Sequence, residues 1–480
     1  GGLRERVLTL VGARHGVPLP KIESLAVLPL ENLSRDPEQE YFADGMTEEL
    51  IANLGKVGAL RVISRQSVMR YKRSEKPLPE IARELNVDAV VEGAVARSGG
   101  RVRITAQLIQ ANPEKNLWAE TYERDLRDVL ALQGEVARAI VQEIRVKLTP
   151  QEQVHLATTR PLNPEAHEAY LMGRYFWNKR TEEGFSKSIE CFQRAIQKEP
   201  DYALAYAGLA DSYVVLGSFG FRSPQEVMPK GKAAALKALA IDETLAEAHA
   251  SLAMLKIDYE YDWLEAEREF QRAIELNPGY ASAHQWYSQY LMARGRTAES
   301  LAENQRALDL DPLSPIMNSI YGWHLYFAGH DDEAIAQLRK TLEVNPDFPP
   351  AYFYLGLPYE HKGIYKEAIA KFEKALQLSG GGPIYVSALG HALGVAGRRT
   401  AAQRYLVVLE DLSRRSYVSP YDFAVVHAGL DHKDLVIAWL GKAYEDHSFR
   451  LIYLKVDPMF DPLRSDPRFQ DLLRRMNFPP

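Results

Sequence analysis

A 34-residue period constrains the fold of this chain more than any other feature. Pro278, Pro312 and Pro346 stand 34 residues apart, twice in succession. Small residues recur at fixed offsets after the prolines: Ser288, Gly322 and Gly356, then Gly295, Gly329 and Gly363, then Ser300, Ala334 and Ala368. Such a period indicates stacked helix pairs, because one pair cannot bury its apolar face alone. A solenoid of this kind usually binds other molecules rather than catalysing a reaction.

The bulk composition limits the classes of protein that the chain could be. At 480 residues it exceeds a single ordinary core, so two or more units are expected. The net charge of −6 argues against a dedicated nucleic-acid binder, which would carry a dominant basic face. The single cysteine, Cys191, excludes internal disulfides and any multi-cysteine metal site. No run approaches eighteen apolar residues, so the sequence itself predicts no membrane span.

Residues 1–22 are interpreted as an N-terminal arm or a juxtamembrane linker. Val7 to Val11 form a short apolar run among basic residues, and glycines and prolines between positions 12 and 20 follow it. The arm is either a flexible linker or a strand that pairs with an exposed sheet edge, in its own chain or another. Because the chain begins with Gly1 rather than Met, we expect an upstream segment such as a signal peptide or a membrane helix.

Residues 23–150 alternate between strand and helix signals, which predicts a small α/β domain with a mixed sheet. Short apolar runs and alternating segments predict strands, and amphipathic spacing predicts helices. The strands are expected at 25–30, 60–64, 88–96, 102–110 and 117–122, and the helices at 40–54, 79–85 and 127–148. Residues 151–163 are interpreted as a linker.

From residue 164 the apolar period is that of helices only. Residues 164–446 are predicted to form about eight helix pairs, so the chain is expected to be an α+β molecule of two domains. Ser314 is expected to cap a first helix. The second pair has a longer connection with Phe219 and Phe221, which either contacts a partner or folds over the neighbouring pair. Residues 447–480 contain three Asp-Pro pairs and are interpreted as a capping segment over the last apolar face.

The recurring positions resemble the tetratricopeptide repeat (TPR) family over about 300 residues. The resemblance implies a right-handed superhelical solenoid whose concave groove binds a peptide or a partner protein. Carried onto this sequence, the inward-facing positions of the family are the following: Gln285, Gln289, Trp323, Tyr326, Phe327, Phe353, Glu360, His361 and His391. Exposed aromatic residues flanked by amides would anchor a peptide, unless the superhelix turns some of them into the core. The basic positions that clamp a C-terminal carboxylate in chaperone-binding repeats are missing, which disfavours a chaperone-tail receptor.

Four segments of the first domain resemble the TolB-like N-terminal domain, which is related to FlgO-type domains. They are LAVLPLENLS at 25–34, YFADGMTEEL at 41–50, RVISR at 61–65 and VVEG at 90–93. This domain followed by TPRs is found in the C-terminal region of bacterial transmembrane kinases, cyclases and winged-helix regulators. The resemblance therefore implies an extracytoplasmic sensor or scaffold, periplasmic or at the cell surface, tethered by an upstream membrane helix. A cytoplasmic location is the alternative.

Two charged segments of the first domain are candidate sites. The most basic stretch either binds an anion or is a solvated edge that balances acidic repeats; its cations are Arg61, Arg65, Arg70, Lys72 and Arg73. Asp44, Glu48 and Glu49 surround Thr47, which is expected to cap a helix start, and a catalytic or metal role for these carboxylates is the less favoured interpretation. No catalytic motif is recognisable, and no metal or cofactor is expected.

These observations predict a non-enzymatic interaction, sensor or scaffold module of a bacterial cell-envelope protein, with a protein or peptide partner in the TPR groove. One alternative is a self-assembling protein that forms head-to-tail oligomers or filaments through the arm and the solenoid ends. A second alternative is nucleotide or small-ligand binding by the TolB-like domain.

Overall fold

The computed structural model describes residues 21–34, 36, 39–98, 100–157 and 162–478. The first unit contains a small mixed sheet, as predicted. Its strands are β1 (Ser24–Val27), β2 (Glu31–Asn32), β3 (Arg61–Val62), β4 (Ala89–Ser98), β5 (Arg101–Ala111) and β6 (Glu114–Asp125). The order is β3-β1-β4-β5-β6, and β2 pairs with β4. β1 is parallel to β3 and β4, whereas β4, β5 and β6 form consecutive antiparallel hairpins.

Helices cover both faces of this sheet. They are α1 (Glu40–Gly55), α2 (Arg65–Val68), α3 (Leu78–Leu85), α4 (Val129–Glu143) and α5 (Pro150–Ala157). α1 and α4 bury their apolar stripes on one face, and α3 covers part of the other face with Ile81 and Leu85. α4 ends five residues earlier than predicted. The expected linker contains α5, which buries Leu156 against α4.

The expected cap at Thr47 is wrong, because α1 already begins at Glu40. Thr47 lies in the middle of the helix and is fully buried. Its hydroxyl donates to the Ala43 carbonyl at 2.8 Å and accepts from the Leu30 amide at 3.0 Å. The residue therefore joins the helix to the segment after β1.

Eight antiparallel helix pairs follow within the described residues. They are α6 (Pro164–Trp177) with α7 (Glu182–Lys198), α8 (Ala203–Ser218) with α9 (Pro224–Ile241), α10 (Ala246–Leu255) with α11 (Trp263–Leu276), α12 (Ala281–Ala293) with α13 (Thr297–Leu310), α14 (Pro315–Phe327) with α15 (Asp331–Val344), α16 (Pro349–His361) with α17 (Tyr365–Ser379), α18 (Pro383–Val395) with α19 (Arg399–Ser413), and α20 (Pro420–Gly429) with α21 (Lys433–Asp446). A π-helical turn, Lys256–Glu260, follows α10.

The small residues of the 34-residue period let the helices of a pair approach closely. A Cβ atom at Gly356 in α16 would overlap the ring of Phe372 in α17. The glycines that end the first helices, such as Gly329 and Gly363, have positive φ angles of 76° and 74°, which an L-residue rarely adopts. Spacing in the sequence thus determines both the contact within each pair and the turn between its helices.

The first unit docks on the repeat-turn edge, which we define as the turns 277–280, 309–314 and 344–348 between successive pairs. The amide of Gly279 donates to the Gly55 carbonyl at 3.1 Å, and the amide of Ser64 donates to the Leu310 carbonyl at 2.7 Å. The expected cap by Ser314 is wrong: its hydroxyl donates to Gln66 Oε1 at 2.6 Å. Two turns that carry periodic prolines are therefore contact points between the domains.

The C-terminal segment 447–478, called the tail below, contains two 3₁₀ turns (Phe449–Tyr453 and Pro458–Leu463) and α22 (Pro467–Arg475). It covers the last helix pair, where the Tyr421 and Phe460 rings lie 5.7 Å apart. It also extends inside the solenoid to the third pair, where the Trp263 Nε1 donates to the Met476 carbonyl at 2.8 Å. Among the described residues, no helix combines the length and apolarity needed to cross a bilayer.

Candidate partner-binding groove

The first helices of the pairs line the concave side of the solenoid, and the central ones are buried on nearly every side. In α12, all residues from Ala283 to Ala293 are buried. A helix that is buried all round must be covered by other elements on every side. On the groove side the tail contributes this cover, through Tyr453 against Gln289, so the groove is filled rather than open.

Tyr453 is the aromatic centre of the filled groove. Its ring lies 4.6 Å from the ring of Trp323 and 5.3 Å from that of Phe327, both in α14. Its hydroxyl donates to Gln289 Oε1 in α12 at 3.0 Å. Burial raises the pKa of the Tyr453 phenol well above its ordinary value, so the group remains a neutral donor. One tail residue thus connects two neighbouring helix pairs.

Arg450 places a positive charge beside aromatic and acidic groups. Its guanidinium lies over the Tyr421 ring at 4.7 Å and over the Phe353 ring at 5.6 Å. Burial raises the pKa of the nearby Asp422 carboxyl to about 6, although Arg450 opposes the shift. Ser387 Oγ donates to the same carboxyl at 2.8 Å. The tail therefore brings a cation into a region where carboxyl groups are buried.

A buried ion pair lies near this cation. His391 Nδ1 is 2.8 Å from Glu360 Oε1. Burial alone would lower the pKa of His391, but the Glu360 carboxylate outweighs it and the pKa is raised. Burial also raises the pKa of Asp457 in the tail, against the attraction of Arg450. This part of the groove is therefore polar and charged, in contrast to the aromatic part around Tyr453.

Both ends of the tail, together with α21 of the eighth pair, contact the third pair. The Phe478 ring stacks on Trp263 at 4.6 Å, and the His447 ring lies 4.3 Å from that of Tyr259 in the π-helical turn. Tyr444 of α21 stacks on Tyr261 at 5.5 Å. The array therefore curls until its last pair and its third pair are in contact.

The groove residues named from the sequence lie in this region, with different exposure. Those that are buried are Gln285, Gln289, Trp323, Tyr326, Phe353 and His391. Glu360 and Phe327 are partly buried, and the His361 side chain is 45% exposed and pairs with Asp331 at 2.7 Å. The aromatic anchors are buried rather than exposed: Tyr453 of the tail covers Trp323, whereas Phe353 packs on Phe372 of α17, which is the alternative of a core position. Their role in binding a partner stays a prediction.

The longer connection of the second pair folds partly over its neighbour. The Phe221 ring lies 6.2 Å from that of Phe185 in α7. Phe219 stacks on Phe221 at 6.3 Å and is half exposed. Phe221 thus folds over the neighbouring pair, which is one of the two interpretations of this loop. Phe219 faces outward, so contact with a partner stays a prediction for that residue.

Most of the basic stretch is engaged within the chain. Arg61 donates to the Asp309 carbonyl at 2.9 Å, and Arg70 donates to that of Val344 at 3.4 Å, both at the repeat-turn edge. Lys72 pairs with Asp44 at 2.5 Å and with Glu40 at 2.8 Å. Arg73 also reaches Glu40, at 3.4 Å, but is 83% exposed.

Glu48 is the centre of a charged network between the two domains. Arg65 Nε lies 3.2 Å from Glu48, and Arg174 of α6 lies 2.5 Å from it. Burial by itself would raise the pKa of Glu48, but the two guanidinium groups outweigh it and the pKa is lowered. Arg174 is not predictable as part of this network from the sequence, because nothing in its helical spacing indicates a partner 126 residues away.

Glu49 also contacts α6, because His167 Nε2 of that helix lies 3.1 Å from the Glu49 carboxylate. Gln133 of α4 donates a hydrogen bond to the same carboxylate. The candidate carboxylates Glu48 and Glu49 thus make contacts between helices. Among the described residues, no group of three or more His, Cys, Asp or Glu side chains is arranged to hold a metal ion.

Two curated relatives resemble parts of the chain. "Putative adenylate cyclase 3" of Rhizobium meliloti is 39% identical over 200 residues, which are 42% of this chain and 34% of the relative. The transcriptional regulator HilA of Salmonella typhimurium is 20% identical over 287 residues, which are 59% of this chain and 50% of HilA. The chain therefore spans a third to a half of the length of these relatives.

A solved structure and a family model resemble the helix pairs of this chain. The crystal structure of YrrB, described as a TPR protein with an unusual peptide-binding site, is 22% identical with a TM-score of 0.29, and the match covers 42% of this chain and 98% of YrrB. A family model for the tetratricopeptide repeat matches residues 262–315 and 322–383. The C-terminal region of this chain therefore carries tetratricopeptide repeats, which indicate a protein-interaction or scaffold module.

Proposed function

We propose that the chain is the non-enzymatic interaction module of a bacterial signalling protein, and that its concave groove is a peptide site closed by its own tail. The observation that carries this proposal is the position of residues 448–457, which lie on the groove residues named from the sequence. This segment has 3₁₀ and irregular backbone rather than a helix pair of its own. It therefore contacts the groove in the way that a bound peptide would.

The contacts of the segment define what a partner peptide must offer. An aromatic side chain with a hydroxyl fits between Trp323 and Gln289, as Tyr453 does. A cation fits over Tyr421 and Phe353, as Arg450 does. A partner with an arginine and a tyrosine at similar spacing, joined by apolar residues, is the ligand class that this groove favours.

The burial of the tail sets the energetic threshold for such a partner. Leu451, Ile452 and Leu454 are fully buried, as is Phe460. Each side chain of this kind contributes about 1.5–3 kcal/mol when it is buried. A partner peptide must replace comparable apolar area, so the isolated chain keeps the groove closed and binding requires exchange with the tail.

Weakening the tail in the full-length chain tests the groove. In a variant with Arg450→Ala and Tyr453→Ala, a fluorescein-labelled peptide of residues 447–457 should bind saturably, as measured by fluorescence anisotropy. The wild-type chain should bind it much more weakly, because its own tail competes at a high effective concentration. Circular dichroism checks that the variant keeps its helices.

Adding Trp323→Ala to the same variant is the control for the site. This third change should abolish peptide binding, since the ring against which Tyr453 packs is lost. Equal binding with and without Trp323, or no binding to the tail-weakened variant while its helices persist, would contradict a peptide site in the groove.

The two curated relatives support the signalling context. One is named as an adenylate cyclase and the other as a transcriptional regulator, and the chain spans only part of each. Stretches of the chain thus match two proteins of different named activity, which favours a binding or sensing role over catalysis. We extend the proposal to a TolB-like first domain and to an extracytoplasmic location. Protease accessibility of the gene product in intact host cells tests the location, and full protection that persists after the envelope is permeabilised would contradict it.

A further inference from the structure

We propose that helix α19 of the seventh pair is an interface through which two copies of this chain form a closed, twofold-symmetric dimer. The inference begins with two valines on the outer surface of the helix. Val407 and Val408 are 57% and 41% exposed. Among the second helices of the described pairs, α19 also has the fewest buried residues, which are Ala402 and Leu409. The helix therefore keeps most of its surface available to a partner.

The 34-residue period shows what the two valine positions carry in the regular pairs. One, two and three periods earlier, the equivalent residues are Glu373 and Lys374, Arg339 and Lys340, and Gln305 and Arg306. All six are polar, as expected for the face of a helix that is directed into water. Valine is also a weaker helix former than lysine, arginine or glutamate. The repeat itself therefore does not account for the valines, whereas a partner that covers them does.

The valines belong to a longer apolar strip along the helix. Tyr405 and Leu412 lie three residues before and four residues after Val408, which places them on the same side of an α-helix. Both are only partly buried. Since α19 is the second helix of its pair and packs on α18 and α20, a partner on this strip leaves the concave groove accessible. The strip thus offers a continuous apolar seam to another helix.

The charges beside the valines are self-complementary, which selects a second copy as the partner. Arg404 lies before the valines and Asp411 after them, and both are exposed. In the described part of the chain, Arg404 makes no ion pair, and the Asp411 carboxylate pairs with the exposed Arg414 at 3.0 Å. A twofold axis between Val407 and Val408 brings two α19 helices together antiparallel. Arg404 and Asp411 are each about 5 Å from this axis along the helix, so Arg404 of one copy is level with Asp411 of the other, twice.

Other arrangements of two α19 helices lose this agreement. In a parallel pair, Arg404 would lie opposite Arg404 and Asp411 opposite Asp411, and like charges repel. An antiparallel pair that slips by about one turn places Arg404 opposite Arg415 in one direction and opposite Val408 in the other. In the register about the axis between the valines, Arg415 lies opposite Thr400, which carries no charge. Charge therefore favours one register.

The size of the interface predicts a weak dimer. α19 has 15 residues and is about 22 Å long. Stable interfaces bury about 1,200–2,000 Å² in total, and one pair of helices of this length provides less. We therefore expect dissociation in the micromolar range. An interface of this symmetry closes at two copies, unlike the head-to-tail alternative, and it needs neither the arm nor the solenoid ends.

Sedimentation velocity of the full-length chain over about 1–200 µM tests the interface. We expect an equilibrium between monomer and dimer, without larger species. Val407→Glu with Val408→Lys gives α19 the residues of the sixth pair, so the helix should keep its fold, which circular dichroism checks. The dissociation constant of this variant should rise by roughly tenfold or more. Leu264→Glu, at an exposed apolar position of α11, is the matched control and should leave the dissociation constant unchanged.

Charge reversal at low salt tests the antiparallel register. Arg404→Glu and Asp411→Arg, made in two separate full-length variants, each place like charges opposite one another in the dimer. Each variant alone should dimerise roughly tenfold more weakly than the wild type. In an equimolar mixture of the two variants, both pairs across the interface are attractive again. The mixture should therefore dimerise about as well as the wild type.

Three results would overturn the proposal. The first is a wild-type chain that stays monomeric over the whole concentration range or forms larger assemblies. The second is association that Val407→Glu with Val408→Lys does not weaken. The third is a mixture of the two charge variants that associates no better than either variant alone.

Discussion

Two helical glycines show how strongly the period constrains individual residues. A methyl group at Gly356 would overlap the Phe372 ring, whereas a Cβ atom at Gly441 in α21 would meet nothing within 4 Å. We expect Gly356→Ala to lower the free energy of unfolding by about 1–3 kcal/mol through overpacking. Gly441→Ala should raise it by up to about 1 kcal/mol, because alanine favours the helix. Urea denaturation measures both, and effects of the same sign would contradict this contrast.

Asp422 should make stability depend on pH. Burial raises its pKa to about 6, above the value of about 3.9 in an unfolded chain. Its protonated form therefore contributes stability that is complete below about pH 4 and is lost as the pH rises through about 6. Relative to Asp422→Asn, the wild-type free energy of unfolding should fall by roughly 2–3 kcal/mol between about pH 4 and pH 8. Urea titrations across this range measure it, and parallel pH profiles of the two proteins would contradict it.

Single residues also show where the sequence stops being informative. Local rules identify the glycines of the repeat, because helix contact and turn geometry depend on near neighbours. They identify Trp323 and Gln289 as inward-facing, but not what covers them, since Tyr453 is 164 residues from Gln289. Ser314 illustrates the same limit: its position predicts a cap, yet a domain partner takes its hydroxyl.

At the scale of elements, the tail turns the concave surface of the solenoid from an open groove into a filled one. Eight helix pairs follow from the period, and their first helices would ordinarily leave a concave surface open. Pro458 and Pro467 begin short helical elements of the tail, but the apolar run Leu451–Leu454 is what docks it into the groove. Sequence patterning could not specify this docking, because the groove exists only after the pairs have stacked.

Substitution of Tyr453 measures the strength of this docking. Tyr453→Ala removes the ring contacts with Trp323 and Phe327 and should lower the free energy of unfolding by about 3–5 kcal/mol. Tyr453→Phe removes only the hydrogen bond to Gln289 and should cost about 1 kcal/mol. Limited proteolysis of the tail should follow the same order. Equal effects of the two changes would mean that the rings do not hold the tail.

At the scale of the whole molecule, the two domains should unfold together. Glu48 binds Arg65 in the first domain and Arg174 in the first helix pair. Glu48→Gln removes the carboxylate nearest to both guanidinium groups, which keep only the longer contacts of Arg65 to Asp44 at 3.8 Å and of Arg174 to Asp211 at 3.5 Å, and should cost about 3–5 kcal/mol. Arg73→Gln is the matched surface control and should cost at most about 1 kcal/mol.

Hydrogen exchange in increasing urea shows whether the two domains unfold together or separately. In the wild type, amides of β4 and α14 should become exchangeable at the same urea concentration, as in a single cooperative unit. In Glu48→Gln, β4 should open first. Separate opening in the wild type would show that the domains are only loosely joined.

The repeat-turn edge has one further consequence, for how the gene can change. Repeat arrays commonly grow or shrink by whole units, because each unit contacts only its neighbours. Here the first domain is in contact at Gly279, Leu310 and Ser314, which belong to consecutive turns, and at α6 far earlier in the array. Duplicating or deleting a unit between α6 and α13 would separate these attachment points by a different rise and rotation. The contacts of the first domain therefore fix how many helix pairs this part of the array can contain.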